Sequence, residues 1–391
     1  MIWTILFSQL VTAPFIRSVY TLPKMVALGL VLAACAWIPG RRSTMPARPW
    51  HLFLAVFTLT TVTSQYWFMS LCGLYLSGAE TLLLAVLCFF AYRAAQAGKV
   101  EDVLEAGAAA AAVSVVLGAF MTTQAGRWVG TTGQAARFGT ALALGAAMAM
   151  NGGRWARAVP LILLGIVMSG SRGAILAVVV TYAYLYRRLP WWVFAGFAAA
   201  VAVVLHRGGS WAQSDVMRVT QAKAGWAVFL QYPWFGCGPS TFLPAAIAAN
   251  QFHTHILPLN VLATQGLVGA VAWTILAVDA WRAAGREVRA VYVAAAVCSM
   301  LNPLPESAYV IMAVLYGASQ RGDVLEPRAW TRRAATLVLA GALLVMAYAD
   351  RQAKIGDDKD TAHERDAIVF MKRAHRWNPF EFYYFIRVTP H

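Results

Sequence analysis

The chain has 391 residues, of which 60% are hydrophobic and only 13% charged, and its formal net charge is +15. Soluble domains run about 45–50% apolar and about 25% charged, so this composition excludes an ordinary soluble globule and points to a polytopic membrane protein. The positive charge does not indicate a nucleic-acid partner, because the cations sit in short loops between apolar runs, as the positive-inside rule describes.

The apolar runs are about 15–22 residues long and lack the two-residue alternation of barrel strands, so helices are expected. In chain order they cover 2–16, 22–39, 49–64, 70–93, 101–121, 134–150, 155–169, 172–187, 191–206, 254–278, 288–303, 306–320 and 333–349. The first is short and contains Pro14. The expected fold is all-α, a transmembrane bundle of about 12–13 spans with a helical outer loop between two late spans. Residues 1–349 form that bundle, loop 207–253 included. Residues 350–391 form a polar, basic and then aromatic tail. Its segment His375–Tyr384 reads as a helix end, a proline-led restart and an amphipathic helix, either the first unit of a helical repeat or an interfacial anchor.

The N-terminus lacks a basic leader region and a clear cleavage site, so no removable signal peptide is read. No internal repeat stands out. Cys35, Cys72, Cys88 and Cys298 lie in apolar runs and Cys237 in the outer loop; no paired spacing indicates disulfides or zinc.

Lysine and arginine set the orientation. One set of loops holds 16 cations: Arg41, Arg42, Arg48, Arg93, Lys99, Arg154, Arg157, Arg187, Arg188, Arg282, Arg286, Arg289, Arg321, Arg328, Arg332 and Arg333. The alternate loops before the tail hold 8: Arg17, Lys24, Arg127, Arg137, Arg172, Arg207, Arg218 and Lys223. The richer set is expected to be cytoplasmic, which puts the N-terminus inside and loop 207–253 and the tail outside.

The outer loop is the one long polar interval. A helix is expected over Val216–Gln231, with Ser214 or Asp215 as its N-cap. Val216, Val219, Trp226 and Leu230 share one face at helical spacing, and Arg218, Gln221 and Gly225 the other. Two readings stay open: a helix lying on the membrane with Arg218 solvated, or one that turns Arg218 inward over a cavity. Next come Pro233-Trp234-Phe235-Gly236-Cys237-Gly238-Pro239, then His253-Thr254-His255, then Gln265-Gly266-Leu267-Val268-Gly269 at an apolar helix. Polar groups are costly beside lipid, so this concentration at a membrane mouth indicates chemistry. The glycines lack the Gly-Lys-Ser/Thr ending of a phosphate-binding loop and read as a tight turn. The His-x-His pair has no Asp, Glu or Cys close in sequence to complete a metal site. Glu80 is an isolated acid within a span, and Glu306 follows Pro305 at an outer helix mouth; either orients an arginine or faces water.

These residues resemble the O-antigen ligase and polymerase (Wzy-like) superfamily. Ser169-Gly170-Ser171-Arg172-Gly173 opening an apolar helix is similar to its "SRG" helix start. Arg218 resembles its outer-loop arginine, Pro233–Phe242 its glycine-turn segment, and His255, eleven residues before Gly266, its histidine. Arg127-Trp128-Val129-Gly130 ahead of Gln134 resembles a weaker upstream segment. The resemblance spans roughly Arg127–Gly269. One position departs: the family often has Asn after the histidine, and here it is Ile256.

The resemblance implies a metal-independent, inverting glycosyltransferase with no cofactor, facing the periplasm in the bacterial inner membrane. The donor it implies is a glycan on a polyprenyl, typically undecaprenyl, pyrophosphate. The acceptor is lipid A-core for ligases, a second lipid-linked glycan for polymerases, or a protein hydroxyl in related enzymes. Membrane lipids are the surroundings and nucleic acid is not a partner. Pyrophosphate departure without a metal needs guanidinium groups, which stay protonated and donate in pairs. Arg172, at a helix N-terminus that itself favours anions, and Arg218 are the expected clamp. Lys223, Arg137 and Arg207 are weaker candidates. His255 is the expected base for the acceptor hydroxyl, with His253 secondary and Glu306 accessory. A transporter using the arginines as an anion path is the competing class. Cations confined to the outer mouth argue against it.

Overall fold

A computed structural model describes residues 1–11, 21–37, 48–64, 70–71, 81–96, 98–121, 123–124, 126–132, 134–151, 153–186, 211–239, 256–302, 304–320, 341, 344, 347 and 351. His253, His255, Arg207, Glu80, the expected spans at 191–206 and most of 333–349, and the tail beyond Arg351 lie outside them.

Helices dominate the described residues. In order they are α1 (Ile2–Phe7), α2 (Thr21–Trp37), α3 (Arg48–Val62), α4 (Leu82–Ala95), α5 (Val100–Phe120), α6 (Ala135–Met150), α7 (Val159–Ser169), α8 (Arg172–Tyr186), α9 (Trp211–Gln231), α10 (Leu257–Ala283), α11 (Arg286–Leu301) and α12 (Glu306–Ser319). A two-residue antiparallel ladder, β1 (Thr123–Gln124) with β2 (Arg127–Trp128), turns the chain between α5 and α6. Two helices, α5 and α10, are long and apolar enough to cross a membrane, and α4, α6, α8 and the Lys24–Ala34 part of α2 are shorter apolar helices.

Three expectations change. The run 2–16 is not one helix over its described part: α1 ends at Phe7, a 3-10 turn covers Ser8–Leu10, and Val11 is extended. The run 70–93 does not begin its long helix at residue 70; α4 starts at Leu82, where the Thr81 side chain accepts from the Leu84 amide at 3.1 Å. The outer helix α9 starts at Trp211 rather than at an Ser214 or Asp215 cap. The polar residues 213–215, expected to precede the helix, lie inside it.

Helix α6 is the centre of the bundle, packed against α5, α7, α8 and α11. Its Phe138, Leu142, Leu144 and Ala146 are fully enclosed. Close approach depends on small residues: a β-carbon on Gly145 would overlap Ala111 of α5, and one on Gly107 would overlap Met148. Small side chains let helix backbones approach where lipid offers no competing hydrophobic drive. A second layer joins α3, α4, α10 and α12 through aromatic contacts such as Trp50 with Tyr92 at 5.4 Å and Phe53 with Trp273 at 4.8 Å.

The two ends of the bundle differ in chemistry. At one end Arg154 pairs with Glu105 at 2.9 Å, Arg286 donates to the carbonyl of Leu185 at the end of α8, and Asn151 Nδ2 donates to the Glu287 carbonyl at 3.2 Å. These are cations from the richer loop set. The other end gathers the starts of α2, α6, α8 and α12 and the turn after α5, which carry Lys24, Arg137, Arg172, Glu306 and Arg127.

Candidate functional site

The site begins with the break between α7 and α8. Gly170 ends α7 in the left-handed region (φ 62°), and Ser171 caps α8, its Oγ accepting from the Ala174 amide at 3.4 Å. A serine at this position satisfies one of the open amides of a helix start. Neighbours approach the break closely. A β-carbon on Gly139 would overlap Ser171, and one on Gly173 would lie 2.5 Å from Asn302 Nδ2. Asn302 Nδ2 donates to Ser171 Oγ at 3.2 Å. Arg172, the first residue of α8, is half-buried at the helix end where anions are favoured.

Arg127 completes this corner. Its Nε donates to the Ser169 carbonyl at 2.7 Å and its Nη2 to the Gly170 carbonyl at 3.2 Å. A cation on the last carbonyls of α7 is favourable in itself. Among the described residues the charges that act on Arg127 are two further guanidiniums, Arg172 and Arg218. Burial first, then those two neighbours, push its pKa below the ordinary arginine range. An arginine stays protonated under such pressure, so the corner keeps three positive charges close together. Sequence reading had Arg127 only within a weak upstream segment. Its signal was its place in a short polar turn on the side that carries Arg172.

Arg218 reaches the corner because α9 turns its mixed face inward. Val216, Val219, Trp226 and Leu230 are exposed, whereas Gln221, Gly225 and Val228 are buried and Arg218 half-buried on the opposite face. Of the two readings of α9, the inward one holds. Lys223 lies on the exposed face and does not join Arg218. Val228 packs with Cys237 and Ala263, which seats α9 on α10.

The two glycine motifs interlock. Gly266 (φ 65°) breaks α10 and frees backbone groups on both sides of the kink. The carbonyls of Ala263 and Thr264 accept from the Cys237 amide at 3.0 Å and the Gly238 amide at 2.8 Å. The amides of Leu267 and Val268 donate to the carbonyls of Pro233 at 2.8 Å and Trp234 at 3.1 Å. Ser64, beyond α3, donates to the Cys237 carbonyl at 2.9 Å. The tight turn read from Gly236 and Gly238 is present, with φ of 70° and 110°. It is a clamp on the broken helix whose first turn follows directly on His255. Ile256 is the N-cap of α10, extended and without a side-chain cap.

Behind α6 lies a second charged cluster. Arg137 pairs with Glu306 at 3.5 Å, and both are buried. Lys24, 1% exposed, donates to the Thr131 carbonyl and interacts electrostatically with Glu306 and Arg137. Glu306 thus orients an arginine, Arg137. Lys24 read only as a loop cation from sequence. No three His, Cys, Asp or Glu side chains come together as metal ligands among the described residues.

No curated protein matches the chain. A family model described as O-antigen ligase matches residues 158–274, a stretch that contains Arg172, Arg218, both glycine motifs, His253 and His255 but not Arg127, Lys24, Arg137 or Glu306. Residues 158–274, with the Arg172 helix start, inward Arg218 and clamped Gly266 kink, are thus similar to the O-antigen ligase family, which supports glycan transfer of the ligase or polymerase type in general.

Proposed function

We propose that the protein transfers a glycan from a polyprenyl pyrophosphate donor to an acceptor hydroxyl, as an inverting and metal-independent enzyme of the ligase type, at the periplasmic face of the inner membrane. The cluster of Arg127, Arg172 and Arg218 carries the reading. Three guanidiniums gathered at a helix start, with Arg172 and Arg218 both acting on Arg127, suit a ligand with several negative charges.

In this reaction the acceptor oxygen attacks the anomeric carbon from the side opposite the pyrophosphate. The new carbon–oxygen bond forms as the sugar–phosphate bond breaks, and the configuration inverts. Arg172 and Arg218 neutralise the departing pyrophosphate, and Arg127 holds the corner between them. His255 takes the proton of the acceptor hydroxyl, a contribution of about 10²–10⁴-fold for general bases. The Pro233–Pro239 clamp fixes the kink of α10 at Gly266. His253 is secondary. The Arg137–Glu306 pair and Lys24 brace α6, α12 and α2 behind the site.

The test offers the purified protein a polyprenyl-pyrophosphate glycan with and without lipid A-core. The expected product is lipid A-core carrying one whole glycan. A ladder of extended lipid-linked glycans, formed without lipid A-core, would assign the polymerase reaction. Absence of transfer to either acceptor would overturn glycan transfer.

A further inference from the structure

A cavity of about 540 Å³ lies within the bundle between α3, α4, α10, α11 and α12. Its wall is aromatic and aliphatic, including Trp50, Phe53, Phe57, Trp273, Tyr309 and Tyr316. Helices α10 and α11 share a short turn at Ala284–Gly285 and both line the cavity. On α11 the lining runs from Tyr292 to Ser299, a rise of about 10 Å along the helix.

Protein interiors are close-packed, and a void of this size forfeits contacts along its whole wall. Water does not fill it well, because a buried water needs two to four polar partners and this wall offers few. The volume falls in the range of about 300–1,000 Å³ typical of ligand sites. Ala277 of α10 and Ala296 of α11 line the cavity with small side chains and are exposed among the described residues.

Of the polar groups on the lining residues, two lack a hydrogen-bond partner among the described residues. Trp50 Nε1 and the Tyr292 hydroxyl are buried without a hydrogen-bond partner, and both residues line the cavity. Trp50 is 4% exposed. Trp50 is the third residue of α3 and Tyr292 the seventh of α11. Both therefore sit near the helix ends that carry Arg48, Arg286 and Arg289, opposite the Arg127 corner. Tyr292 is about 9 Å in from its helix end.

We infer that this cavity binds one acyl chain of a glycerophospholipid from the leaflet on the Arg48 and Arg286 side, with an ester carbonyl accepting from Trp50 Nε1 and the Tyr292 hydroxyl. The apolar wall takes the chain and the two donors take the ester. An isoprenoid tail is hydrocarbon throughout and leaves both donors unsatisfied, which is costly in an apolar surround.

The test reconstitutes the full chain in phosphatidylethanolamine–phosphatidylglycerol vesicles. These contain trace phosphatidylethanolamine with a diazirine in mid-acyl chain or, in a second arm, a diazirine-bearing polyprenyl phosphate. After irradiation, crosslinked peptides are mapped by mass spectrometry. The acyl probe is expected on the cavity faces of α3, α11 and α12. Ala296→Phe, which narrows the cavity, should lower this labelling but leave that of the exposed Phe120 and Leu164 unchanged. Trp50→Phe and Tyr292→Phe, which keep the packing, should each lower cavity labelling about 2- to 10-fold, the loss of one neutral hydrogen bond. Acyl labelling confined to outer faces, cavity labelling unchanged by both donor variants, or cavity labelling by the polyprenyl probe instead would each overturn the inference.

Discussion

Gly236 and Gly266 lock the outer loop to the broken helix. Each adopts a positive φ, and a β-carbon on either would overlap the backbone on the other side: Thr264 and Gln265 for Gly236, Trp234 and Phe235 for Gly266. Four backbone hydrogen bonds close the same joint. Gly266→Ala should therefore meet two penalties at once. Left-handed backbone alone costs on the order of 1–3 kcal/mol in a non-glycine residue, and the overlap adds to it. A large fall in thermal midpoint in detergent, with loss of transfer, is expected. Gly126→Ala is the control, since its φ is also positive but no atom lies within 4 Å of the added carbon. Equal tolerance of the two changes would refute the clamp.

Arg172→Ala and Arg218→Ala should each abolish most transfer while the protein still accumulates. Lysine should rescue only in part, because a point charge does not reproduce the paired donors. Arg127→Ala should weaken donor binding about 10- to 100-fold, the range for losing a charge-assisted hydrogen bond. Inorganic pyrophosphate competition against labelled donor measures this. EDTA should leave the wild-type rate intact. Loss of rate in EDTA, restored by a divalent ion, would point to metal-assisted departure.

His255→Ala should abolish transfer with donor affinity nearly unchanged, and His253→Ala should cost less. The base works as neutral imidazole, whose ordinary pKa is ~6.5. Rate should hold above that pH and fall below it, approaching tenfold per pH unit as protonation removes the base. A rate that rises on acidification, or a His255→Ala enzyme of near wild-type rate, speaks against the assignment.

Ile256 caps α10 without a side-chain bond. Asparagine there accepts from an open amide of the first turn, which is worth about 0.5–2 kcal/mol. Ile256→Asn should raise the thermal midpoint and leave donor affinity unchanged. A loss of affinity would show that this position touches substrate instead of setting the helix.

Two exposed residues, Lys223 on α9 and Arg282 on α10, test the proposed sidedness. In a cysteine-free background, Lys223→Cys should react with an impermeant thiol reagent added from the periplasmic side. Arg282→Cys should react only once the inner membrane is permeabilised. The reverse pattern would invert the topology and put the arginine corner in the cytoplasm.

Most of the helices were legible in the sequence because apolar run length is a local property that backbone hydrogen bonding in lipid enforces. The runs at 101–121, 134–150, 172–187 and 306–320 meet α5, α6, α8 and α12 within one or two residues. The glycine turn was legible as well, since positive φ selects glycine wherever it occurs. What the turn binds was not, because its partner is a helix kink some thirty residues on, and sequence carries no distance between them. The arginines divide in the same way. Arg172 announces itself by opening a helix. Arg127 becomes its neighbour only when α5 and α6 bring the turn between them to the end of α7. Glu306 finds Arg137, and Lys24 finds Thr131, across 169 and 107 positions of chain. Charge and hydropathy along the chain thus determined which segments are helical and which end holds the sparse cations. Tertiary packing alone decided which of those cations meet, because helix order around α6 is set by small-residue contacts that leave no trace in charge or hydropathy.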